Sequence, residues 1–503
     1  MPGRAKPPVV SVSRGESREI GQEHMFIGGA WVDSADGRTF DVETPAKRGS
    51  VIAQVPRGGA ADVDRAVKAA AAAFPAWRAM APRDRGRLLL RIADDVDAAV
   101  EDLARLLAAE TGNAIRTQSR PEAQRVADLF RYFGGLGGEL KGETIPLGEN
   151  WFSYTRREPL GVVAAIVPWN VPILIAAWKL APALIAGNTV VLKPSANAPL
   201  ATLAFARICE RHLPKGVLNV VTGNGDEVGT PLAEHPQVAK ISFTGNTETG
   251  KAILRLAADR IIPVTLELGG KSPQILFSDS DDERTADGVI DAMRFARQGQ
   301  SCTAGSRLFV HKTVFDSFLA KLAAKLEKLK VGDPLDEQSD MGAMVSRQQF
   351  AKVVGYIEEG TRQSGARTVT GGMPPKSGPL AEGYYIQPTV FANTSNDWRL
   401  AREEIFGPVL VAIPWADEAE VIRMANDTHY GLAAYVWCRD ITNALRTAHS
   451  IDAGWIQING GGGQIVGQPY GGFKESGLGR ENSLEGMLDG FTQRKSVTVN
   501  LSR

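Results

Sequence analysis

The stretch "LGVVAAIVPWNVPILIAAWKLAPALIAG", residues 160–187, decides how the chain is to be read. It is the longest apolar run and has the length of a membrane span, but Pro168, Pro172, Pro182, Asn170 and Lys179 interrupt it. The run divides instead into a buried strand ("GVVAAIV"), a turn at "PWN" and a helix ("ILIAAWKLAPALIAG"). The segment "NTVVLK", residues 188–193, follows as a second continuous apolar strand. Strand, helix and strand in this order make a βαβ unit, and strands that are apolar on both faces belong to a parallel sheet.

Working outward, the alternation continues toward Gly270, with "VLNVV" and "KISF" as strands and "PLATLAFARICERH" and "DEVGTPLAEH" as helices. Past "VTLELGGKSPQILF" it starts again, with "SRLFVH", "YYIQPTVF", "PVLVAIPW" and "AAYVWC" as strands, which predicts a second α/β unit over residues 269–470. On the N-terminal side, apolar positions return every three or four residues from Asp62 to Thr111, and Gly112 offers a left-handed helix cap. Residues 141–160 read as a hairpin and "TQRKSVTVNL" near the C-terminus as an alternating strand. Their edges need each other or another subunit, because open edges invite aggregation. Residues 1–20 lack the apolar core of a secretory signal and read as a mobile arm.

Composition excludes several functions. A chain of 503 residues exceeds a small binding module, and 57 basic against 57 acidic residues leave no excess charge for a phosphate backbone or an anionic leaflet. Neither nucleic acid nor a membrane is an expected partner. The three cysteines, Cys209, Cys302 and Cys438, are too scattered for a disulfide framework or a metal site; no metal is expected, and a reducing, cytoplasmic setting suits them.

Six stretches carry chemistry. In "PWN", Asn170 stands past the carboxyl end of a strand, where ligands gather in parallel sheets; it either closes a turn before Pro172 or donates its amide to a developing oxyanion. In "VVLKPS", Lys193 ends the next strand, as a solvated lysine or as a partner for a ribose or phosphate. In "FTGNTETGK", Gly245 and Gly250 bracket a strand-to-helix turn whose N–H groups could face a pyrophosphate, and "TGNGDEVG", with Gly225, offers a second glycine turn. Glu267, in "TLELGGKSP", lies in an apolar strand, where a carboxylate is either a structural acceptor or a base with a raised pKa. Cys302, in "QGQSCTAG", completes the set.

Together "PWN", "KPS", "FTGNTETGK", "LELGGK", "GQSC" and "EEIFGPV" (residues 403–409) resemble the aldehyde dehydrogenase superfamily in order and spacing, from about Met25 to the last strand. The resemblance implies a Rossmann-like cofactor domain (residues 21–140 and 161–268), a second α/β catalytic domain (269–470) and a β oligomerisation arm (141–160 and 485–503). It implies an NAD- or NADP-dependent oxidoreductase in which Cys302 is the nucleophile, Glu267 the general base and Asn170 an oxyanion donor. Trp169, Lys193, Ala196, Gly225, Gly245, Thr247, Gly250, Glu404 and Phe406 would bind the cofactor. Val171, Trp178, Phe295, Gln464 and Tyr470 would line the substrate tunnel, and a homodimer or homotetramer is expected.

The sequence departs from the family twice. Ala196 stands where relatives often carry an acidic residue toward the ribose 2′-hydroxyl, so nothing there repels NADP. Gly460 to Gly463 strip the tunnel loop of side chains, which is expected to widen or loosen its mouth. With apolar walls and no cationic anchor, medium-sized or aromatic aldehydes are expected to fit. Alternatives are a semialdehyde dehydrogenase using Arg297 for a carboxylate, a CoA-dependent relative, an inactive structural relative and a thiol redox sensor; Glu481 is a second candidate base.

Overall fold

The computed structural model describes residues 21–502, so the arm expected over residues 1–20 lies outside the described residues. Strand Val162–Ile166 is buried along its whole length, and helix Pro172–Ala186, buried at every residue, packs behind it. Pro172 opens the helix where its missing N–H leaves no bond unmade, and Gly187 closes it at φ +100°. Strand Thr189–Lys193 then returns parallel to Val162–Ile166. Among the described residues no helix is long and apolar enough to cross a membrane.

These strands sit mid-sheet, in the order Gly477–Leu478, Val264–Glu267, Val238–Thr244, Val162–Ile166, Thr189–Lys193, Leu218–Val220, Met25–Ile27, Ala30–Val32. The five from Val264–Glu267 to Leu218–Val220 are parallel. After Val162–Ile166 the chain moves to one side for two strands, then crosses to the other for Val238–Thr244 and Val264–Glu267. That reversal opens a crevice beyond the strands' carboxyl ends.

The second sheet runs Arg367–Thr370, Thr389–Ala392, Val409–Trp415, Arg307–His311, Pro273–Leu276, Ala433–Trp437, Trp455–Ile458, parallel except at its first strand. The strand expected over "YYIQPTVF" begins only at Thr389, since Pro388 has no N–H to give a ladder. Residues 268–272 cross from Val264–Glu267, the outermost parallel strand of the first sheet, to Pro273–Leu276 in the interior of the second.

The helical N-terminal stretch forms Ala60–Ala79 and then, broken at Ala99, Pro82–Ala98 and Val100–Thr111, which Gly112 caps at φ +77°. Strand Thr492–Asn500 pairs antiparallel with Trp151–Pro159 along its entire length, and Thr144–Ile145 takes the other edge. Hairpin and C-terminal strand therefore satisfy each other within one chain. Trp151, Phe152, Val499 and Leu501 remain exposed on this three-stranded sheet.

Candidate active site

Cys302 lies in the loop between helix Glu283–Met293 and strand Arg307–His311. The loop is tightly constrained: Arg294 (φ +59°), Gln298 (φ +52°) and Gly299 (φ +63°) are all left-handed. A side chain at Gly299 would strike the carbonyl of Gly407, and one at Gly270 would strike the carbonyl of Cys302. The Asn170 amide donates to the Gln300 carbonyl at 3.0 Å, while the Asn170 carbonyl accepts from the Asn113 amide at 3.0 Å. One amide hydrogen of Asn170 fixes the cysteine loop, and an amide has two to give.

Glu267, 2 % exposed at the end of its strand, accepts a hydrogen bond from the Tyr470 hydroxyl at 3.1 Å, and that hydroxyl lies 3.6 Å from Cys302 Sγ. Burial pushes the Glu267 carboxyl up to about 7, opposed by the hydrogen bond with Cys302 and reinforced by the nearby Glu481 charge. Burial, and then the Glu267 carboxylate, push the Cys302 thiol well above its ordinary range. The thiol thus rests protonated beside a carboxyl that changes state near neutral pH, the relation a nucleophile needs to its base. Tyr470, expected as a tunnel wall, bridges the two.

Behind them Lys179, fully buried in the apolar helix, donates to Glu481 at 2.7 Å and to Ser242 at 3.2 Å. The lysine that broke the apolar run is therefore half of a buried ion pair, and Glu481 is engaged with it. Cys209 and Cys438 are buried elsewhere, the latter pushed up to about 12 by burial and Asp279.

On one side Cys302 opens on a groove of about 880 Å³ at the reversal point of the first sheet, lined among others by Trp169, Lys193, Ala196, Gly225, Gly245, Glu404 and Phe406. Lys193, brought down to about 8 by burial, donates among the described residues only to the Pro194 carbonyl, which leaves donors for a ligand. At the other end Glu404 accepts from the Gly270 N–H at 2.9 Å, Lys352 and Gln349 hold the carbonyls around it, and Phe406 meets Trp169 edge-on at 5.3 Å. A long groove with a cation at one end, a carboxylate and aromatic rings at the other and bare glycine backbone between fits a dinucleotide. Two expected contacts do not reach it. Thr247 and Gly250 face away, because helix Thr247–Ala258 presents Glu248, Thr249, Ala252 and Ile253 to the groove. Gly250 instead admits Leu268, which a side chain there would meet at 2.5 Å.

A second cavity of about 320 Å³ is lined by Gln118, Glu122, Arg125, Leu174, Arg294, Arg297 and Gly461 to Gly463 among others. Trp178 packs its ring 5.2 Å from that of Tyr470, and Val171 is buried at the start of the same helix. Phe295 lines neither cavity: the left-handed turn at Arg294 sends it into the core, where it is fully buried. Gln464 is half-buried and also lines neither.

The glycine loop does not gape. Arg294 donates to the carbonyls of Gly461 and Gly462, each at 2.7 Å, and a side chain at Gly463 would collide with the Arg125 guanidinium. The side chains missing from the loop are replaced by arginines from other elements, which overturns the expectation of a tunnel without cations. Arg125, Asn113 and Lys352 carried no local signal; Lys179 did, as a charge inside an apolar helix.

Residues 31–497 match the aldehyde dehydrogenase family. Solved structures similar to this one include a candidate aldehyde dehydrogenase from Burkholderia cenocepacia, 43% identical over 96% of this chain and 98% of that one, TM-score 0.93. PnpE from Pseudomonas sp. WBC-3 is 41% identical over 96% and 98%, TM-score 0.93. A Bacillus cereus aldehyde dehydrogenase solved with NAD+ is 38% identical over 96% and 97%, TM-score 0.92.

Proposed function

The chain belongs to the aldehyde dehydrogenase family, an NAD(P)-dependent group of oxidoreductases, and we propose that it oxidises an aldehyde to the carboxylic acid by covalent catalysis at Cys302. The observation that carries this reading is the convergence of thiol, phenol and carboxyl at Cys302, Tyr470 and Glu267.

Glu267 receives the thiol proton, directly or through the Tyr470 hydroxyl, and the sulfur adds to the aldehyde carbon to give a thiohemiacetal. The free amide hydrogen of Asn170 and the backbone N–H of Cys302 stabilise its oxyanion; loss of one such donor typically costs ~10²–10³ in rate. NAD or NADP, held by Trp169, Lys193, Gly225, Gly245, Glu404 and Phe406, supplies the hydride acceptor that turns this adduct into a thioester. Once Glu267 has released the thiol's proton to solvent it takes a proton from water, the hydroxide adds to the thioester, and the acid leaves as that proton passes to Cys302. Ala196 places no carboxylate against a 2′-phosphate, which favours use of NADP beside NAD.

The aldehyde chain runs toward Trp178 and Leu174, apolar walls suited to a medium-sized or aromatic body. Residues 21–140 and 161–268 act as the cofactor domain and 269–470 as the catalytic domain. The exposed Trp151, Phe152, Val499 and Leu501 of the arm make a homodimer or homotetramer, observable by light scattering, in a reducing cytoplasm that keeps Cys302 a thiol. The deciding experiment follows reduced-cofactor absorbance with a panel of aldehydes and no added thiol. Turnover that waits for coenzyme A would replace hydrolysis with acyl transfer, and none with any aldehyde would leave an inactive relative.

A further inference from the structure

The cavity on the substrate side of Cys302 carries a charge pattern that aldehyde oxidation alone does not need. It lies one helical turn from the reacting centre: Leu174 lines it, and Trp178, the next turn on the same face, packs on Tyr470 beside Cys302. Arg297, five residues before the thiol, is near enough for its charge to act on that of Cys302. Its Nη2 donates to Gln118 at 3.1 Å, but its Nε is buried with no acceptor. A buried donor left unpaired in a charged group is costly, and a ligand that accepts from it removes the cost.

The other charges strengthen the pattern. Arg125 stands at the mouth and makes no hydrogen bond or ion pair among the described residues, and Gly463 leaves space for its guanidinium. Arg294 spends its donors on the glycine loop and on Tyr435, which fixes the loop around the opening. Three carboxyl groups also face this cavity. Asp340 is already paired with Arg116, and Asp291 is exposed at the rim. Glu122 is near enough to Arg297 for their charges to act on each other, but burial outweighs this and pushes its carboxyl up to about 8, and one of its oxygens is unpartnered. The inner wall thus holds a guanidinium N–H with no acceptor beside a carboxyl whose ionisation burial opposes.

We propose that this cavity holds an anionic group, a carboxylate at the end of the substrate remote from its aldehyde, with Arg297 and Gln118 as inner donors and Arg125 as the guide at the mouth. The proposal rests on aldehyde oxidation at Cys302 and names its substrate class: an ω-oxo acid of medium length. Planar guanidinium groups match carboxylate geometry, and the charge that captures the substrate lies on the side away from the cofactor groove.

The test pairs glutaric semialdehyde with pentanal and adipic semialdehyde with hexanal, so that chain length is matched and only the terminal charge differs. The wild type should prefer the carboxylated member by at least about tenfold in kcat/KM, expressed mainly in KM. Arg297→Gln should bring the ratio toward unity, and Arg125→Gln, a surface change that does not threaten folding, should move it less in the same direction. A wild type that favours the neutral aldehydes, or a ratio that survives both substitutions, overturns the proposal. Calorimetric titration of the Cys302→Ala protein with glutarate asks the question without turnover: binding should be saturable and weakened at least about tenfold by adding Arg297→Gln. Equal binding overturns the proposal even if every aldehyde is oxidised. Arginine-dependent glutarate binding without oxidation of any aldehyde supports the anion site and sinks the catalytic reading instead.

Discussion

Cys302 stands between a groove built from strand ends and a pocket built from side chains of distant elements. The groove takes its shape from the reversal of the first sheet, and Trp169, Lys193, Gly225 and Gly245 line it from the ends of four strands and the runs just past them. The pocket draws Glu122 and Arg125 from one helix, Leu174 from another, Arg294 and Arg297 from the cysteine loop and three glycines from a loop more than 150 residues further on. Topology dictates the first, and only close packing dictates the second. The difference teaches where reaction type is stored and where substrate choice is stored.

Substitutions can break that comparison or sharpen it. The largest effect is expected at the reacting thiol, which lines the groove. Cys302→Ala should lower turnover at least about a thousandfold with every aldehyde, while titration of reduced-cofactor fluorescence shows the groove still binding; Cys209→Ala and Cys438→Ala, deep in packed regions, should stay active. Survival of aldehyde oxidation in Cys302→Ala would remove the thiol from the chemistry.

Next in size is Glu267→Gln, with steady turnover down about 10²–10⁴-fold but a burst of about one reduced cofactor per site retained in rapid mixing. Because the carboxyl changes state at about 7 and only its ionised form is a base, wild-type kcat should rise with pH through that value and flatten above it. Normal turnover in Glu267→Gln would move the base elsewhere.

A groove-side change should alter the cofactor and leave the aldehyde preference alone. Ala196→Glu should cut NADP use relative to NAD by about tenfold or more through repulsion of the 2′-phosphate, read from steady-state kinetics with each cofactor. Undetectable NADP use by the wild type would show that another residue discriminates. The smallest effect is expected from the pocket side: Gly463→Ala must displace the movable end of Arg125, so KM for a carboxylated aldehyde should rise only about three- to tenfold while cofactor KM holds. An equal change in both Michaelis constants would mean that the two cavities are not independent.

The same contrast explains what the sequence discloses. Lys193 and Glu267 stand out in the sequence because each ends an apolar strand, and Asn170 because it stands in the turn just past one, where a polar group has few other reasons to exist. The βαβ order is legible for the same reason. Thr247 and Gly250 are misplaced by a motif reading that ignores the helical period, which shows Glu248 and Thr249 to the groove. Phe295 is misplaced because nothing nearby announces the left-handed turn at Arg294. Arg125 is invisible, since its meaning depends on a glycine over 300 residues away. The four glycines looked like an opening because their missing side chains are in the sequence and the arginines that replace them are not nearby in it.

The crossover at residues 268–272 has one more consequence. Glu267 ends the last parallel strand laid down in the first sheet, whereas Cys302 rides on the second, with Gly270 pressed against its carbonyl. The reacting pair therefore works as a gauge of how squarely the two sheets are mounted. A misalignment of ~1 Å between reacting groups can cost ~10² in rate without breaking any ladder. In a slow thermal ramp, catalytic output should fade while circular dichroism still reports both sheets intact, and recover on cooling from that interval.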